Sequence, residues 1–187
     1  MEEVQASATV LETFPELTGI EDDQLREAVV GIWLEVLAES AWERIEDVPK
    51  NPLKFPDDRN LVKHTRSVTR MALAIAEIAH EMHGLAYDRD LLIAAANLHD
   101  VSKMVEFTPE TESRVSRFGH LIQHGVYGAH KALAKGLPID VVHNILVHTG
   151  GSRYLPQTWE ALIVHYADFV DSDGLALDAG SPLLLKK

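Results

Sequence analysis

Cysteine is absent from the 187-residue sequence, which excludes disulfide bonds and thiolate metal ligands. Long apolar runs are absent too, since none approaches the roughly 20 residues that a membrane-spanning helix needs. The N-terminus, "MEEVQASATVLETF", is acidic, unlike a secretory or transit peptide. These absences predict a cytoplasmic protein with no membrane partner.

Basic residues are scarce, with 17 Lys and Arg against 29 Asp and Glu, so the net charge is −12. The acidic excess is uneven: residues 1–60 hold 15 acidic and 5 basic residues (−10), whereas residues 61–187 hold 14 and 12 (−2). Nucleic-acid binding without sequence preference requires clustered cations. We therefore expect no nucleic-acid partner, although a few local Lys and Arg could hold a small anionic substrate.

Alternating β-patterns of useful length are also missing, and apolar residues recur at helical spacing instead. The sequence predicts an all-α bundle of about six or more helices. Their predicted ranges are about 20–47, 60–83, 88–98, 120–135, 138–148 and 156–170. Residues 1–18 show no strong period and are expected to be loose. The apolar stripe around Trp33 predicts core or a dimer surface, which leaves a homodimer open.

Three prolines in thirteen residues, "VPKNPLKFPDDRN", predict an ordered or extended connector. The connector predicts a division into an acidic helical extension (1–55), a main domain (56–175) and a C-terminal tail (176–187). The acidic extension could cover a pocket or form a dimer.

Histidine is frequent, with ten in the chain. The most informative histidines and aspartates are His64, His99, Asp100, His124, His148 and Asp168. Their separations are 35, 1, 24, 24 and 20 residues. Apart from the adjacent His99 and Asp100, each is assigned to a different helix, so only a folded bundle could gather them. Side chains on facing helices commonly build metal sites. A nitrogen and oxygen ligand set without sulfur suits Fe, Mn, Co, Ni or Zn.

The pattern His64 … His99-Asp100 … Asp168 resembles the HD superfamily of metal-dependent phosphohydrolases. The blocks "LHDVSK", "HGVYGAHKAL", "ILVHTGG" and "VHYADFV" resemble, in order, its YqeK-like branch, which includes symmetrical diadenosine tetraphosphate hydrolases with two metals. The resemblance spans about residues 60–172. It implies an HD helical bundle with an extra N-terminal helix and one or two divalent transition metal ions.

The resemblance also implies roles for single residues. His64, His99, Asp100 and Asp168 would hold one ion, His124 and His148 the second, and Asp100 would bridge the two. Two such ions can bind a phosphoryl oxygen and activate water. Asp100 is thus expected to be catalytic, as is Lys103, which would contact substrate phosphate; the alternative for Lys103 is a solvated lysine at a helix end.

Three further residues are candidate substrate contacts: Arg66, His120 and Arg153. Arg66 follows His64 on the same predicted helix, and His120 lies four residues before His124, so that pair could face one way. Arg153 follows the "HTGG" turn, whose glycines could expose backbone N–H groups to an anion. For each arginine the alternative is an ordinary surface charge.

The block "ADYIEP.R" of the family stands here as "ADFVDSDG", which lacks the arginine. The departure removes an expected binding contact to a dinucleotide. The resemblance predicts hydrolysis of a phosphoric ester or anhydride, and the finer expectation is a nucleotide or dinucleoside polyphosphate as the substrate. Two alternatives stay open. One is a mixed-valent di-iron HD oxygenase acting on a small phosphonate or polyol; the other is a non-catalytic metal- or nucleotide-binding sensor module.

Overall fold

The computed structural model describes residues 2–56, 58–110, 112–149 and 151–185. The α-helices are α1 (Glu2–Thr13), α2 (Asp23–Glu39), α3 (Leu61–His83), α4 (Arg89–Leu98), α5 (Lys103–Glu106), α6 (Arg117–Leu121), α7 (Val126–Ala134), α8 (Ile139–Val147) and α9 (Trp159–Asp178). Short 3-10 helices cover Pro15–Gly19 and Ile45–Asp47. Within the described ranges, β-structure is limited to two isolated bridges, Pro49–Asn60 and Phe107–Val115. The all-α prediction is confirmed.

Helix α4 is the centre of the bundle, as its apolar sequence predicts. Asp88 caps its start by accepting a hydrogen bond from the N–H of Leu91 at 2.9 Å. Every residue from Leu92 to Leu98 is buried, and α2, α3, α8 and α9 all contact the helix. Because α4 is enclosed in this way, the residues that follow its last turn, His99 and Asp100, enter the protein interior.

The N-terminal helices share their core with α4. Trp33 of α2 is fully buried, and its indole Nε1–H donates to Asn97 Oδ1 of α4 at 2.6 Å. The ring of Phe14 packs against Trp33, with centroids 4.4 Å apart. The hydrophobic core is thus continuous across the predicted boundary at residue 55, although the division into three segments stays a prediction.

The expectation that residues 1–18 are loose is wrong for the described part of that range. Val10, Phe14 and Leu17 are buried against the core, and this burial stabilises α1 and the 3-10 helix after it. The helix predicted to run to residue 47 ends at Glu39. Ser40 terminates it, because its hydroxyl donates to Leu37 O at 2.8 Å and accepts from the Trp42 N–H at 3.1 Å.

Some of the other predicted helix ends agree with the structure and others do not. The predicted ends at His83 and Leu98 are confirmed, and Gly84 ends α3 in the left-handed region at φ 69°. The single helix predicted over 120–135 is interrupted by Gly125, whose φ is 86°, so His124 precedes α7 instead of lying on it. Helix α9 continues past the predicted end near Val170 to Asp178.

No helix in the described part of the chain combines the length and the apolarity required to cross a membrane.

The bond between Trp33 and Asn97 predicts a stability effect. Trp33→Phe keeps an aromatic ring but leaves Asn97 Oδ1 without its donor, so we expect a loss of about 1–3 kcal/mol in the free energy of unfolding. Trp159→Phe is the matched control, because Trp159 Nε1 is buried without a hydrogen-bond partner among the described residues. Urea denaturation followed by circular dichroism measures both. Equal losses for the two variants would contradict the role given to this hydrogen bond.

Candidate metal centre

The six residues predicted as metal ligands come together in one region of the bundle. His64 lies in the first turn of α3, His99 and Asp100 follow α4, His124 precedes α7, His148 follows α8, and Asp168 lies in α9. All are buried except His124, which is half-buried. Their imidazole rings form a series of edge contacts with centroid separations of 5.1 Å (His64–His99), 5.0 Å (His99–His148) and 5.3 Å (His124–His148).

The carboxylate of Asp100 lies between two pairs of histidines. Its Oδ2 is 2.9 Å from His64 Nε2 and 3.5 Å from His99 Nε2. Its Oδ1 contacts His124 Nε2 and lies 3.5 Å from His148 Nε2. In each of the two groups of three, the donor atoms lie within 4.8 Å of one another, a separation compatible with a metal ion. Asp100 belongs to both groups and could therefore ligate two ions.

Asp168 lies beside the first of these groups. Its Oδ1 is 3.3 Å from His64 Nε2, and it accepts a hydrogen bond from the hydroxyl of Ser172 at 3.1 Å. The carboxylate is thus placed to add a ligand on the side of His64 and His99.

Two of the histidines have their protonated nitrogen fixed by the backbone. His99 Nδ1 is 2.6 Å from Ala96 O, and His148 Nδ1 is 2.8 Å from Ile145 O. A carbonyl oxygen only accepts hydrogen bonds, so Nδ1 carries the proton and Nε2 of the neutral ring presents a lone pair. His99 Nε2 lies 3.1 Å from His64 Nε2 and 3.5 Å from Asp100 Oδ2, and His148 Nε2 lies 3.5 Å from Asp100 Oδ1. A cation among these atoms could accept the nitrogen lone pairs and the carboxylate charge together, so the donor set fits a metal.

The other two histidines are held by carboxylates that the sequence analysis missed. His64 Nδ1 is 2.6 Å from Asp171 Oδ2, and His124 Nδ1 is 2.6 Å from Glu106 Oε2. Such contacts orient metal-binding imidazoles in many proteins. A signal was present, because Asp171 lies three residues after Asp168 and Glu106 three residues after Lys103, which places each pair on one helical face.

Electrostatics divide the cluster into charged and neutral members. Burial alone would lower the pKa of His64, but its hydrogen bonds to Asp100, Asp168 and Asp171 raise that pKa to about 9. Burial lowers the pKa of His148 below its ordinary value. Burial opposes ionisation of Asp100 as well, yet the nearby positive charge of Lys103 and the histidines lowers its pKa well below the usual range. The bridging carboxylate is therefore ionised at neutral pH.

Gly125 allows His124 to approach His148. A Cβ at this position would lie 2.7 Å from the carbonyl oxygen of Ile145, the atom that holds the His148 ring. The positive φ of Gly125 adds a second reason for glycine. The "HG" of the block "HGVYGAHKAL" thus has a direct steric explanation.

A cavity of about 180 Å³ opens beside the histidines. Asp100, His124, His148 and Asp168 line it together with two buried lysines, Lys50 and Lys103; Phe55, Pro182 and Leu184 contribute apolar walls. The ammonium of Lys103 lies 3.2 Å from Asp100 Oδ2. Lys50 belongs to the proline-rich connector, outside the family blocks, and was not among the predicted substrate contacts.

The remaining predicted substrate contacts do not line this cavity. Arg66 Nε donates to the Glu16 carboxylate at 3.1 Å and borders a groove on the outer side of α3. His120 and Arg153 are exposed. Their substrate-binding roles stay predictions that this arrangement does not support.

Comparison with known proteins places these residues in a family. The family model described as "HD domain" matches residues 61–173. The dihydroneopterin 2′,3′-cyclic phosphate phosphodiesterase of Methanocaldococcus jannaschii is 33% identical over 114 residues, which cover 60% of this chain and 46% of that protein. The 3′-5′ exoribonuclease YhaM of Bacillus velezensis is 34% identical over 131 residues, which cover 63% of this chain and 40% of that protein.

The chain thus spans less than half the length of these relatives. No solved structure matches it significantly. The narrower assignment to the YqeK-like branch stays a prediction. The family model, however, covers more than half of the chain and contains all six predicted ligands. The chain therefore belongs to the HD domain family.

Proposed function

We propose that this protein is a metal-dependent phosphohydrolase that cleaves a phosphoric ester or anhydride. The observation that most supports the proposal is the position of Asp100, whose two carboxylate oxygens face two different histidine pairs. His64, His99 and Asp100, with Asp168 beside them, would hold one divalent ion. Asp100, His124 and His148 would hold a second.

One or two bound ions would supply an activated water and positive charge for a phosphoryl oxygen. Fe, Mn, Co, Ni and Zn all suit this donor set. The protein itself orients the ligands, because each of the four imidazoles has its Nδ1 engaged by a carbonyl or carboxylate oxygen. This fixed orientation favours a defined metal geometry over a loose cluster of charges.

Lys103 is the proposed contact for substrate phosphate. Its ammonium lines the cavity and is held by Asp100 Oδ2 at 3.2 Å and by the carbonyl of Lys50 at 2.8 Å. Burial alone would lower the pKa of Lys103, but Asp100, Glu106 and Asp168 raise it above the usual value. The group therefore carries its charge throughout the neutral range and could neutralise an entering phosphate.

For the substrate we infer a small phosphorylated compound of the nucleotide type, which includes dinucleoside polyphosphates. One relative is named for a cyclic phosphate and others for RNA. The net charge of −12 disfavours a polyanion such as RNA. The cavity of about 180 Å³ can accommodate a phosphate group with a small organic part.

A phosphate-release screen tests this substrate class. We expect metal-loaded protein to release phosphate from, or open, mononucleotides, cyclic nucleotides or dinucleoside polyphosphates, and to leave short single-stranded RNA intact. The products are separated by chromatography, and the same protein after chelation is the control. Shortening of RNA with no action on any small compound would contradict the inferred substrate class.

Metal removal should abolish turnover reversibly. We expect chelation to stop hydrolysis, and one of Fe, Mn, Co, Ni or Zn to restore it, since a bound metal ion lowers the pKa of its water molecule and so supplies the nucleophile. Elemental analysis of protein purified without affinity nickel gives the ion content at each step. Full turnover by protein free of transition metals would contradict the proposal.

Asp100→Asn should uncouple folding from activity. The amide keeps the size of the side chain but removes the charge that both histidine pairs share, so we expect a loss of bound metal and at least a roughly 100-fold fall in kcat/KM. The exposed Asp58→Asn is the matched control and should behave like the parent. Circular dichroism verifies the fold of each variant. Unchanged metal content in Asp100→Asn would contradict the bridging role of Asp100.

A further inference from the structure

Lys50 reaches the cavity from outside the region that the family model matches. It belongs to the connector that precedes α3, where its N–H donates to Arg59 O at 2.9 Å and the Leu61 N–H donates to Val48 O at 2.8 Å. These bonds join the two ends of the connector, residues 48–50 and 59–61. Lys50 is only 3% exposed, although lysine is rarely buried without a specific reason.

The ammonium group of Lys50 is anchored beside the proposed metal ligands. It donates to Ser172 Oγ at 2.7 Å and to Asp171 Oδ2 at 3.1 Å. Ser172 in turn donates to Asp168 Oδ1 at 3.1 Å. A single hydroxyl group therefore separates the Lys50 ammonium from a predicted metal ligand.

Lys50 and Lys103 are structurally linked on the wall of the same cavity. The Lys103 ammonium donates to the carbonyl oxygen of Lys50 at 2.8 Å, so the connector fixes both lysines. Two buried ammonium groups next to one cavity repel each other, and burial of charge is costly unless an opposite charge is present. Their carboxylate partners, Asp100 and Asp171, are shared with the histidines of the metal centre.

A charge count shows what such a cavity would accept. Two divalent ions and two lysines carry more positive charge than Asp100, Asp168, Asp171 and Glu106 carry negative charge. The metal-loaded cavity would thus have an excess of positive charge that a phosphate could neutralise. Lysine, with three N–H donors, has a donor left after its bonds to Asp171 and Ser172.

We propose that Lys50 binds a phosphoryl oxygen of the substrate and forms a two-lysine phosphate subsite with Lys103. This proposal rests on the proposed function and adds a residue from the connector to it. The competing role is positional: Lys50 would only hold Asp171, which contacts His64 Nδ1 at 2.6 Å. The two roles predict different effects when Lys50 is replaced. Loss of a phosphate contact would lower the affinity for phosphate, whereas loss of a positional role would lower the metal content.

The experiment compares Lys50→Met and Lys50→Arg with the exposed Lys63→Met as matched control. Elemental analysis measures bound metal, and calorimetry on metal-loaded protein measures the Kd of inorganic phosphate. We expect Lys50→Met to weaken phosphate binding about 10- to 100-fold, the effect of a lost charged hydrogen bond, with metal content unchanged. Lys50→Arg should retain most of the affinity, and Lys63→Met all of it. If Lys50→Met fails to fold, Lys50→Gln replaces it.

Two results would overturn the subsite. One is an unchanged phosphate Kd in Lys50→Met, and the other is a loss of metal in that variant that accounts for its weaker phosphate binding. In both cases a parent protein that still hydrolyses phosphoric esters leaves the proposed function standing. A metal-loaded parent that neither binds phosphate nor hydrolyses any ester would instead overturn the proposed function together with the subsite.

Discussion

The placement of one ionised carboxylate among four imidazoles is the constraint on which the rest of the structure depends. Asp100 is 2% exposed and follows a helix that is buried over its last seven residues. An uncompensated charge in this position would strongly destabilise the fold. Desolvation of an isolated carboxylate costs far more free energy than any single contact contributes to folding. Helices α3, α7 and α8 each bring a histidine at or next to them toward Asp100, and the Lys103 ammonium of α5 lies 3.2 Å from its Oδ2, so the topology of the bundle supplies that compensation.

The second layer of contacts explains why these side chains stay in place. Ala96 O and Ile145 O hold the rings of His99 and His148, whereas carboxylates hold those of His64 and His124. A backbone carbonyl thus fixes the Nδ1 proton of one histidine in each pair, and a carboxylate contacts Nδ1 of the other. Metal binding needs neutral imidazoles. The cluster is therefore compatible with a metal ion, whose binding would displace the protons that the charged histidines carry.

The sequence predicted features that depend on neighbouring residues. It did not predict contacts between residues that are far apart in the chain. The end of α3 at Gly84 and the apolar α4 could be predicted from residues a few positions apart. The gathering of His64 with His99 and Asp100 followed from the family resemblance. In contrast, Lys50 and Asp171 are 121 residues apart, and no periodicity indicates that they meet. Helix α2 ends because the Ser40 hydroxyl hydrogen-bonds to the backbone. A single serine does not indicate this in the sequence, where the apolar spacing predicts a longer helix.

The segments that flank the family core form part of the cavity wall, whereas the core itself contains the candidate metal ligands. Residues 61–173 contain the proposed metal ligands, whereas Lys50 and Phe55 come from the segment before them, and Pro182 and Leu184 from the segment after. The later segment is held to α9, because the Leu184 N–H donates to Asp173 Oδ1 at 2.6 Å. The cluster of candidate ligands therefore lies wholly within the family core, whereas part of the cavity wall around it comes from outside that core. A fold and its site need not vary together, so the walls could differ between chains that share the ligand cluster.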